Sequence, residues 1–145
     1  MKNMRLLIDT NVIIDVLQKR EPYAEDSLAI LKLCETGLVE GYISTLSFAN
    51  IVYVLRKRLV PTDINTLCKN LSLIFRFADL TGQELLSAAE IMWEDYEDAI
   101  QYVTARKMHA DYIITRNEKD YADAEIKIMS PKEFVSKYKN IHKTL

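Results

Sequence analysis

Hydrophobic and polar positions along this chain follow two alternating periods. Short apolar runs at 6–8 and 112–114 lead directly into polar residues, whereas the longer stretches between such runs have apolar residues three or four positions apart. A short apolar run bounded by polar residues is typical of a buried strand in a parallel sheet, and the wider spacing is typical of an amphipathic helix. Strands alternating with helices predict a three-layer α/β/α fold with a mainly parallel central sheet.

The same periods place the individual elements. Strands are predicted at 6–8, 41–45, 77–80, 112–115 and 126–129. Helices are predicted at 12–17, 21–35, 47–59, 63–77, 83–92, 97–108 and from 131 onward. Residues 1–138 are expected to form one domain, and the basic tail at 139–145 is expected to fray.

Polar residues at the helix starts predict specific caps. Thr10 and Asn11 are good N-caps for a helix that begins at Val12. Thr81 and Glu84 have the spacing of a capping box, in which each side chain bonds the other residue's backbone. The run Ser130-Pro131-Lys132-Glu133 combines an N-cap, a proline at the first helical position and a glutamate at the third.

Composition and charge narrow the class of protein. The chain has 49% apolar and 28% charged residues, which is typical of a globular protein. Its net charge of −2 gives no overall attraction to nucleic acid, but it is compatible with a local basic face. Cys34 and Cys68 lie far apart in helical patterns, which favours reduced core residues in the cytoplasm. Asp9 and Asp15 interrupt the first apolar run, so neither a signal peptide nor a membrane span is expected. Three glycines exclude a glycine-rich phosphate loop.

Carboxylates occur at the end of the first predicted strand and at the start of the predicted helix at 97–108. Asp9 follows the first strand directly, and the carboxyl edge of an open α/β sheet is where ligands bind. The alternative is that Asp9 only caps the next helix. A second acidic group opens the helix at 97–108 and consists of Glu94, Asp95, Glu97 and Asp98. The helix dipole alone accounts for one or two of these carboxylates. Within that group Asp95 and Asp98 lie three apart and share a face.

A third polar group follows the strand at 112–115 and includes Asn117 and Asp120. In a parallel sheet these two residues and Asp9 lie at the same carboxyl edge. Asp98, at the start of its helix, would join them if that helix start lies near this edge. Clustered carboxylates repel one another unless a hard divalent cation holds them. Oxygen ligands without histidine suit Mg²⁺ or Mn²⁺ better than zinc. Such a site activates water and stabilises the developing charge on a phosphodiester.

Four segments, taken in order, resemble a known family. They are LLIDTNVIID, ISTLSFANIVYVLRK, DYEDAIQYVTARK and DYIITRNEKDY, and together they look like a PIN domain that runs from about residue 5 to residue 134. The chain is similar to the small bacterial PIN ribonucleases of VapC type, which act as toxins. The resemblance implies a Mg²⁺- or Mn²⁺-dependent endoribonuclease with a mostly parallel sheet, often dimeric and restrained by a small antitoxin protein.

The resemblance also implies roles for individual residues. Asp9 and Asp98 match the central metal-binding carboxylates. The matching catalytic positions further along the chain hold Asn117 and Asp120. One departure is Asn50, which stands where the family presents a glutamate to the metal; an amide oxygen can ligate but adds no charge. The residues expected to support the first ligand or the site around it are Thr10, Asn11, Ser44 and Asp95.

Several basic residues are candidates for contacting RNA phosphates, namely Arg56, Lys57, Arg58 and Arg116. For the run at 56–58 a solvated helix end is the favoured interpretation over an RNA contact.

Two other functions fit parts of the sequence. A PIN fold with a weakened metal centre would be an RNA- or partner-binding module without catalysis, and Asn50 is the residue that favours it. Asp9-Thr10-Asn11-Val12 also resembles the nucleophile loop of haloacid-dehalogenase-like phosphatases. That loop needs a second aspartate where this chain has Asn11, and a later lysine where it has Thr115-Arg116.

Overall fold

The computed structural model describes residues 3–121 and 124–141, except for the side chains of Asp120 and Ile141. The expected tail at 139–145 therefore lies mostly outside the described residues. Within them, the last helix continues to Ile141. The described residues contain no helix that combines the length and the apolar character needed to cross a membrane.

The central sheet is parallel at every strand pair, as the alternation of strands and helices predicted. Its strands are β1 (Arg5–Ile8), β2 (Glu40–Ser44), β3 (Arg76–Ala78), β4 (Tyr112–Ile114) and β5 (Lys127–Met129), in the spatial order β3-β2-β1-β4-β5. The helices are α1 (Thr10–Leu17), α2 (Ala24–Glu35), α3 (Thr45–Leu55), α4 (Pro61–Ile74), α5 (Gly82–Glu90), α6 (Tyr96–Lys107) and α7 (Pro131–Ile141). Short 3-10 turns cover Arg56–Arg58 and Glu118–Tyr121.

The central strand β1 divides the core into two layers. Leu6 and Ile8 belong to a large cluster that includes residues of α1, α2, α3 and α7, whereas Leu7 belongs to a second cluster with Tyr102 and Ala105 of α6. Alternate side chains of a strand point to opposite faces, so this division follows directly from the apolar triplet. The three-layer α/β/α expectation is confirmed.

The strand order places the polar strand ends together. β1 pairs with β2 on one side and with β4 on the other. Strands β2 and β3 therefore extend the sheet on one side of β1, and β4 and β5 extend it on the other side. Ile8 lies opposite Ile114, and the amide of Asp9 donates to the carbonyl of Ile114 at 2.9 Å. Asp9 and Thr115 therefore emerge side by side at the topological switch point, where open α/β sheets bind ligands.

Several helix ends differ from the predictions for local reasons. α1 begins at Thr10 with Asp9 as its N-cap, so the predicted caps Thr10 and Asn11 are wrong. α3 begins at Thr45 because the Ser44 hydroxyl accepts the Ser47 amide at 3.0 Å. α4 ends at Ile74 because the following residues turn into β3.

The two predicted capping motifs have opposite outcomes. The Ser130 hydroxyl accepts the Glu133 amide at 3.1 Å ahead of the Pro131 turn, which confirms that cap. The Thr81 hydroxyl instead bonds the Glu84 carboxylate, and Thr81 caps no backbone amide, so the capping box is wrong there. The carboxylate of Glu84 also pairs with Lys107 of α6, a partner that local sequence does not reveal.

Candidate active site

A pocket of about 200 Å³ opens where the carboxyl ends of β1 and β4 meet the starts of three helices. Its lining is acidic and amide-rich, and the described residues that form it include neither histidine nor cysteine. The residues that line it are Asp9, Thr10, Asn11, Ile14, Arg20, Leu46, Ser47, Asn50, Asp95, Glu97, Asp98, Gln101 and Asn117.

Asp9 is held by neutral hydrogen-bond donors on both carboxylate oxygens. Its Oδ1 accepts the Thr10 amide at 2.8 Å and Gln101 Nε2 at 3.3 Å. Its Oδ2 accepts the Thr115 hydroxyl at 2.7 Å, and Asn11 Nδ2 lies 3.5 Å away. Asp9 therefore caps α1 and faces the pocket at once, so the two roles weighed for it are compatible.

The electrostatic state of Asp9 is set by burial without a protein cation. Its side chain is 8% exposed, and no lysine, arginine or histidine among the described residues pairs with it. Burial raises the pKa of the Asp9 carboxyl, and the nearby Asp95 charge raises it further, while the bonds from Thr115, Gln101 and Thr10 lower it. A cation entering the pocket would reverse the effect of burial.

A hydroxyl and amide network ties three helices together behind Asp9. Gln101 Nε2 donates to Ser47 Oγ at 3.0 Å, and the hydroxyls of Thr10 and Ser44 lie 3.0 and 3.1 Å from the same oxygen. Ser47 is 1% exposed, so the network is shielded from solvent. It fixes α1, α3 and α6 relative to one another and so fixes the width of the pocket.

Asp98 lies on the first turn of α6 and also lines the pocket. Asp95 is the N-cap of that helix, and its Oδ1 accepts the Asp98 amide at 3.1 Å. The Tyr121 hydroxyl donates to Asp98 Oδ1 at 3.2 Å. Burial, followed by the charges of Asp9 and Asp98, raises the pKa of Tyr121. The phenol therefore remains a hydrogen-bond donor to the carboxylate at neutral pH.

Asn50 and Glu97 contact each other across the pocket wall. Asn50 lies on α3, Glu97 lies on the first turn of α6, and Asn50 Nδ2 donates to Glu97 Oε1 at 2.9 Å. Local sequence reasoning placed Glu97 in the acidic group but gave it no role, since its partner is 47 positions away.

The structure brings most of the residues predicted for the site to this pocket. Those that line it are Asp9, Asp98, Asn117, Asn50, Thr10, Asn11 and Asp95. Ser44 lies behind the pocket as the cap of α3. The side chain of Asp120 lies outside the described part of the chain, although its backbone belongs to the 3-10 turn after β4.

Two of the basic residues considered as RNA contacts, Arg56 and Arg116, have other partners in this structure. Arg56 donates to the Tyr53 carbonyl at 2.7 Å and lies over the Tyr53 ring, and neither Arg56 nor Lys57 lines the pocket. Arg116 donates to Asp15 through Nε at 2.6 Å and Nη2 at 3.2 Å, and its guanidinium lies 4.2 Å from the centre of the Tyr23 ring.

Beyond Glu97, sequence reasoning predicted no role for several residues around the pocket, among them Arg20, Gln101 and Thr115. Gln101 lies three residues after Asp98 on α6, a spacing that could have revealed their shared face. Thr115 ends the predicted fourth strand opposite Asp9. Arg20 had no signal in the sequence, because it reaches the pocket through the turn after α1.

The donor set of the pocket fits a hard divalent cation. No group of three or more histidine, cysteine, aspartate or glutamate side chains in 3–119 or 124–140 is arranged to hold a metal ion. Asp9 and Asp98 nevertheless present carboxylates, and the buried amide oxygens Asn11 Oδ1 and Gln101 Oε1 have no hydrogen-bond partner among the described residues. Carboxylate and amide oxygens are the ligands that Mg²⁺ and Mn²⁺ prefer.

Comparison with known proteins gives a consistent result. A family model described as the PIN domain matches residues 5–119, which include every pocket-lining residue. Ribonuclease VapC1 of Aquifex aeolicus (strain VF5) is 23% identical over 145 residues, covering 97% of this chain and 100% of that protein.

Solved structures with the same fold include two complexes. A toxin–antitoxin complex from Klebsiella pneumoniae has a TM-score of 0.67 at 22% identity, covering 87% of this chain and 97% of that one. VapBC2 from Rickettsia felis, bound to a DNA fragment from its promoter, has a TM-score of 0.65 at 16% identity, with 88% and 98% covered.

Proposed function

This chain belongs to the PIN domain family, and we propose that it is a Mg²⁺- or Mn²⁺-dependent endoribonuclease, the toxin of a toxin–antitoxin pair. The observation that carries the proposal is the pocket that buried Asp9 and Asp98 both line, in which Asp9 receives only neutral donors from the described residues. The similarity to a protein named ribonuclease VapC1 supports the same reaction class.

The metal would be held by Asp9 and Asp98, and the further residues proposed for catalysis are Asn117 and Asp120. When bound there, the ion supplies a water of lowered pKa and charge stabilisation for the phosphodiester. The chain's own residues prepare this arrangement. Gln101 and Thr115 fix the two oxygens of Asp9, and the Tyr121 hydroxyl orients Asp98, in the way that outer hydrogen bonds orient metal ligands.

Arg20 is our candidate for contacting the RNA phosphate. Its side chain is 44% exposed, it lines the pocket, and its Nη1 lies 3.9 Å from Asp15 Oδ1. No other lysine or arginine in the described chain lines this pocket. A guanidinium beside a metal site neutralises a phosphate oxygen that the metal does not reach.

Cleavage of single-stranded RNA in the presence of Mg²⁺ or Mn²⁺ tests the proposal. Activity should stop with EDTA, and Asp9→Asn or Asp98→Asn should lower the rate by at least about 100-fold, because each removes a metal-binding charge. Glu94→Gln is the control, since Glu94 is exposed on the same acidic segment but does not line the pocket. Cleavage that survives both EDTA and Asp98→Asn would refute a metal nuclease.

A binding module without catalysis is the alternative outcome of the same experiment. RNA binding without cleavage at any Mg²⁺ or Mn²⁺ concentration would establish it. A covalent aspartyl-phosphate trapped during turnover would instead indicate the phosphatase chemistry weighed from the sequence.

The toxin role is tested separately in cells. Two solved structures of the same fold are a toxin–antitoxin complex and VapBC2 bound to promoter DNA, which supports an antitoxin as partner. We further propose that the antitoxin is a small protein and that this chain forms a homodimer. Expression in the cytoplasm should inhibit growth, and co-expression of the cognate small protein should relieve it. Harmless expression of protein that is active on RNA would refute the toxin role while leaving the nuclease intact.

A further inference from the structure

Asn50 and Glu97 are neighbours of the metal-binding carboxylates but differ in charge. Both line the pocket with Asp9 and Asp98, and the 2.9 Å bond from Asn50 Nδ2 to Glu97 Oε1 links α3 to α6. An amide that donates to a carboxylate restrains it without cancelling its charge. A carboxylate at position 50 would instead repel Glu97 at this distance.

We propose that Glu97 is a metal-binding carboxylate of this pocket and that Asn50 is its positioning residue rather than a ligand. The inference rests on the proposed metal-dependent nuclease. It assigns to Glu97, on the first turn of α6, the negative charge that Asn50 does not supply. Because no three carboxylates of the described residues already converge on one point, an ion held by Asp9 and Asp98 would draw Glu97 towards them from its place beside Asn50. It revises the expectation that Asn50 itself ligates, because the amide group of Asn50 is engaged with Glu97.

The place of Glu97 on α6 suits this role. Asp98 is buried, whereas the preceding residue, Glu97, is exposed, so adjacent carboxylates reach the pocket at different depths. A flexible glutamate at an exposed position loses conformational entropy when it binds a metal. The hydrogen bond from Asn50 lowers that loss by holding the side chain at the pocket beforehand.

A second feature of the pocket, separate from its carboxylates, points to a bound ligand. Gln101 is 4% exposed and lines the pocket, and its Nε2 donates to Asp9 and Ser47, but its Oε1 has no hydrogen-bond partner among the described residues. An unpaired buried acceptor is unfavourable unless something at the site donates to it or is coordinated by it. A hydrated divalent cation does both.

Calorimetric titration of the metal-free, full-length protein with Mn²⁺ tests the proposal without relying on activity. Glu97→Gln removes the charge but keeps the size and an acceptor for Asn50, and it should weaken Mn²⁺ binding by about 10-fold or more. Glu94→Gln is the matched control and should leave the affinity within about twofold of the wild type. Thermal melts without metal check that each variant is folded.

The positioning role is tested by a double-mutant cycle. Asn50→Ala should weaken Mn²⁺ binding less than Glu97→Gln does, and it should add nothing in the Glu97→Gln background, because Asn50 acts only through Glu97. Additive effects would make Asn50 a ligand in its own right and overturn that half of the proposal.

The ligand role of Glu97 has its own contrary outcome. A Glu97→Gln protein that binds Mn²⁺ as tightly as the Glu94→Gln control would overturn it. The proposed nuclease would still stand in that case, provided that wild-type cleavage depends on metal and on Asp9 and Asp98.

Discussion

The two aspartates at the ends of α1 are both buried, but the protein surrounds them differently. Asp15 is fully buried and is met by two arginines, with Arg116 Nε at 2.6 Å and Arg20 Nη1 at 3.9 Å. Asp9 is buried almost as deeply, yet only amides and hydroxyls donate to it in the described structure, and burial raises its pKa.

Under the proposed function, this difference separates a structural carboxylate, Asp15, from a metal-binding one, Asp9. A buried charge that the chain neutralises with its own arginine belongs to the framework, since removing one partner leaves the other uncompensated. A buried carboxylate that receives only neutral donors still favours a cation from solution. The two aspartates are buried to nearly the same extent. They differ in that Asp15 has arginine partners and Asp9 has no cationic partner among the described residues.

The largest expected difference is in stability. Asp15→Asn leaves the Arg116 guanidinium, 23% exposed, without its carboxylate and should cost about 3 kcal/mol, at the low end for a broken buried pair. For a domain of this size that lowers Tm by roughly 10 °C. Thermal melts of metal-free protein, followed by circular dichroism, measure it.

Asp9→Asn is the matched variant for that experiment. Asparagine keeps an oxygen for the Thr10 amide and Gln101, and it relieves the repulsion from Asp95, so the metal-free Tm should barely change. Equal losses of Tm in the two variants would mean that Asp9 is chiefly a helix cap and would remove the contrast.

The two arginines around Asp15 provide a contrast of intermediate size. Arg20→Gln should raise KM for RNA by about 10-fold with little change in Tm, because Arg20 is exposed at the pocket. Arg116→Gln should lower Tm and leave KM unchanged, because Arg116 is engaged by Asp15 and Tyr23. Steady-state kinetics and melts on both variants decide the matter, and the reverse pattern would assign the RNA contact to Arg116.

The smallest expected effect concerns a paired carboxylate far from the pocket. The bonds from Lys107 and then Thr81 lower the pKa of Glu84 from 4.5 to about 2. A lowered folded-state pKa stabilises the fold above the unfolded value, and the contribution disappears as pH falls from 4.5 towards 2. Lys107→Met should therefore lower Tm at pH 7 and lower it less at about pH 3.

Lys69→Met is the control for the pH experiment, since Lys69 is an exposed lysine on α4. Its melting curve should track the wild type at both pH values. A Lys107→Met deficit that stays constant with pH would show that Glu84 is not the group responsible.

Local pattern was sufficient to predict the sheet and the edge where the pocket forms. The apolar triplet Leu6–Ile8 and the polar residues after it place Asp9 correctly, because strand burial and parallel pairing follow from short-range periodicity. The helix starts at Thr10 and Thr45 were misplaced by two residues each, because the choice among neighbouring polar caps depends on side-chain geometry.

The partners of the site residues could not be predicted in the same way. Arg116 contacts Asp15 across 101 positions, and Asn50 contacts Glu97 across 47. Each pair depends on the register of separate elements in the folded chain, which no local pattern encodes. The sequence suggests Arg116 as an RNA contact and Asn50 as a metal ligand, but it does not show the partner that each residue has in the fold.

The bond between Thr115 and Asp9 spans 106 positions, which has a consequence for how the protein is made. The ribosome releases β1 early and β4 late, and Gln101 and Asp98 of α6 come only shortly before β4. A nascent or truncated chain that ends before Thr115 has no completed pocket, whatever else of it has folded. The pocket is therefore completed only near the end of synthesis, so any reaction that it carries out begins after most of the chain has been made.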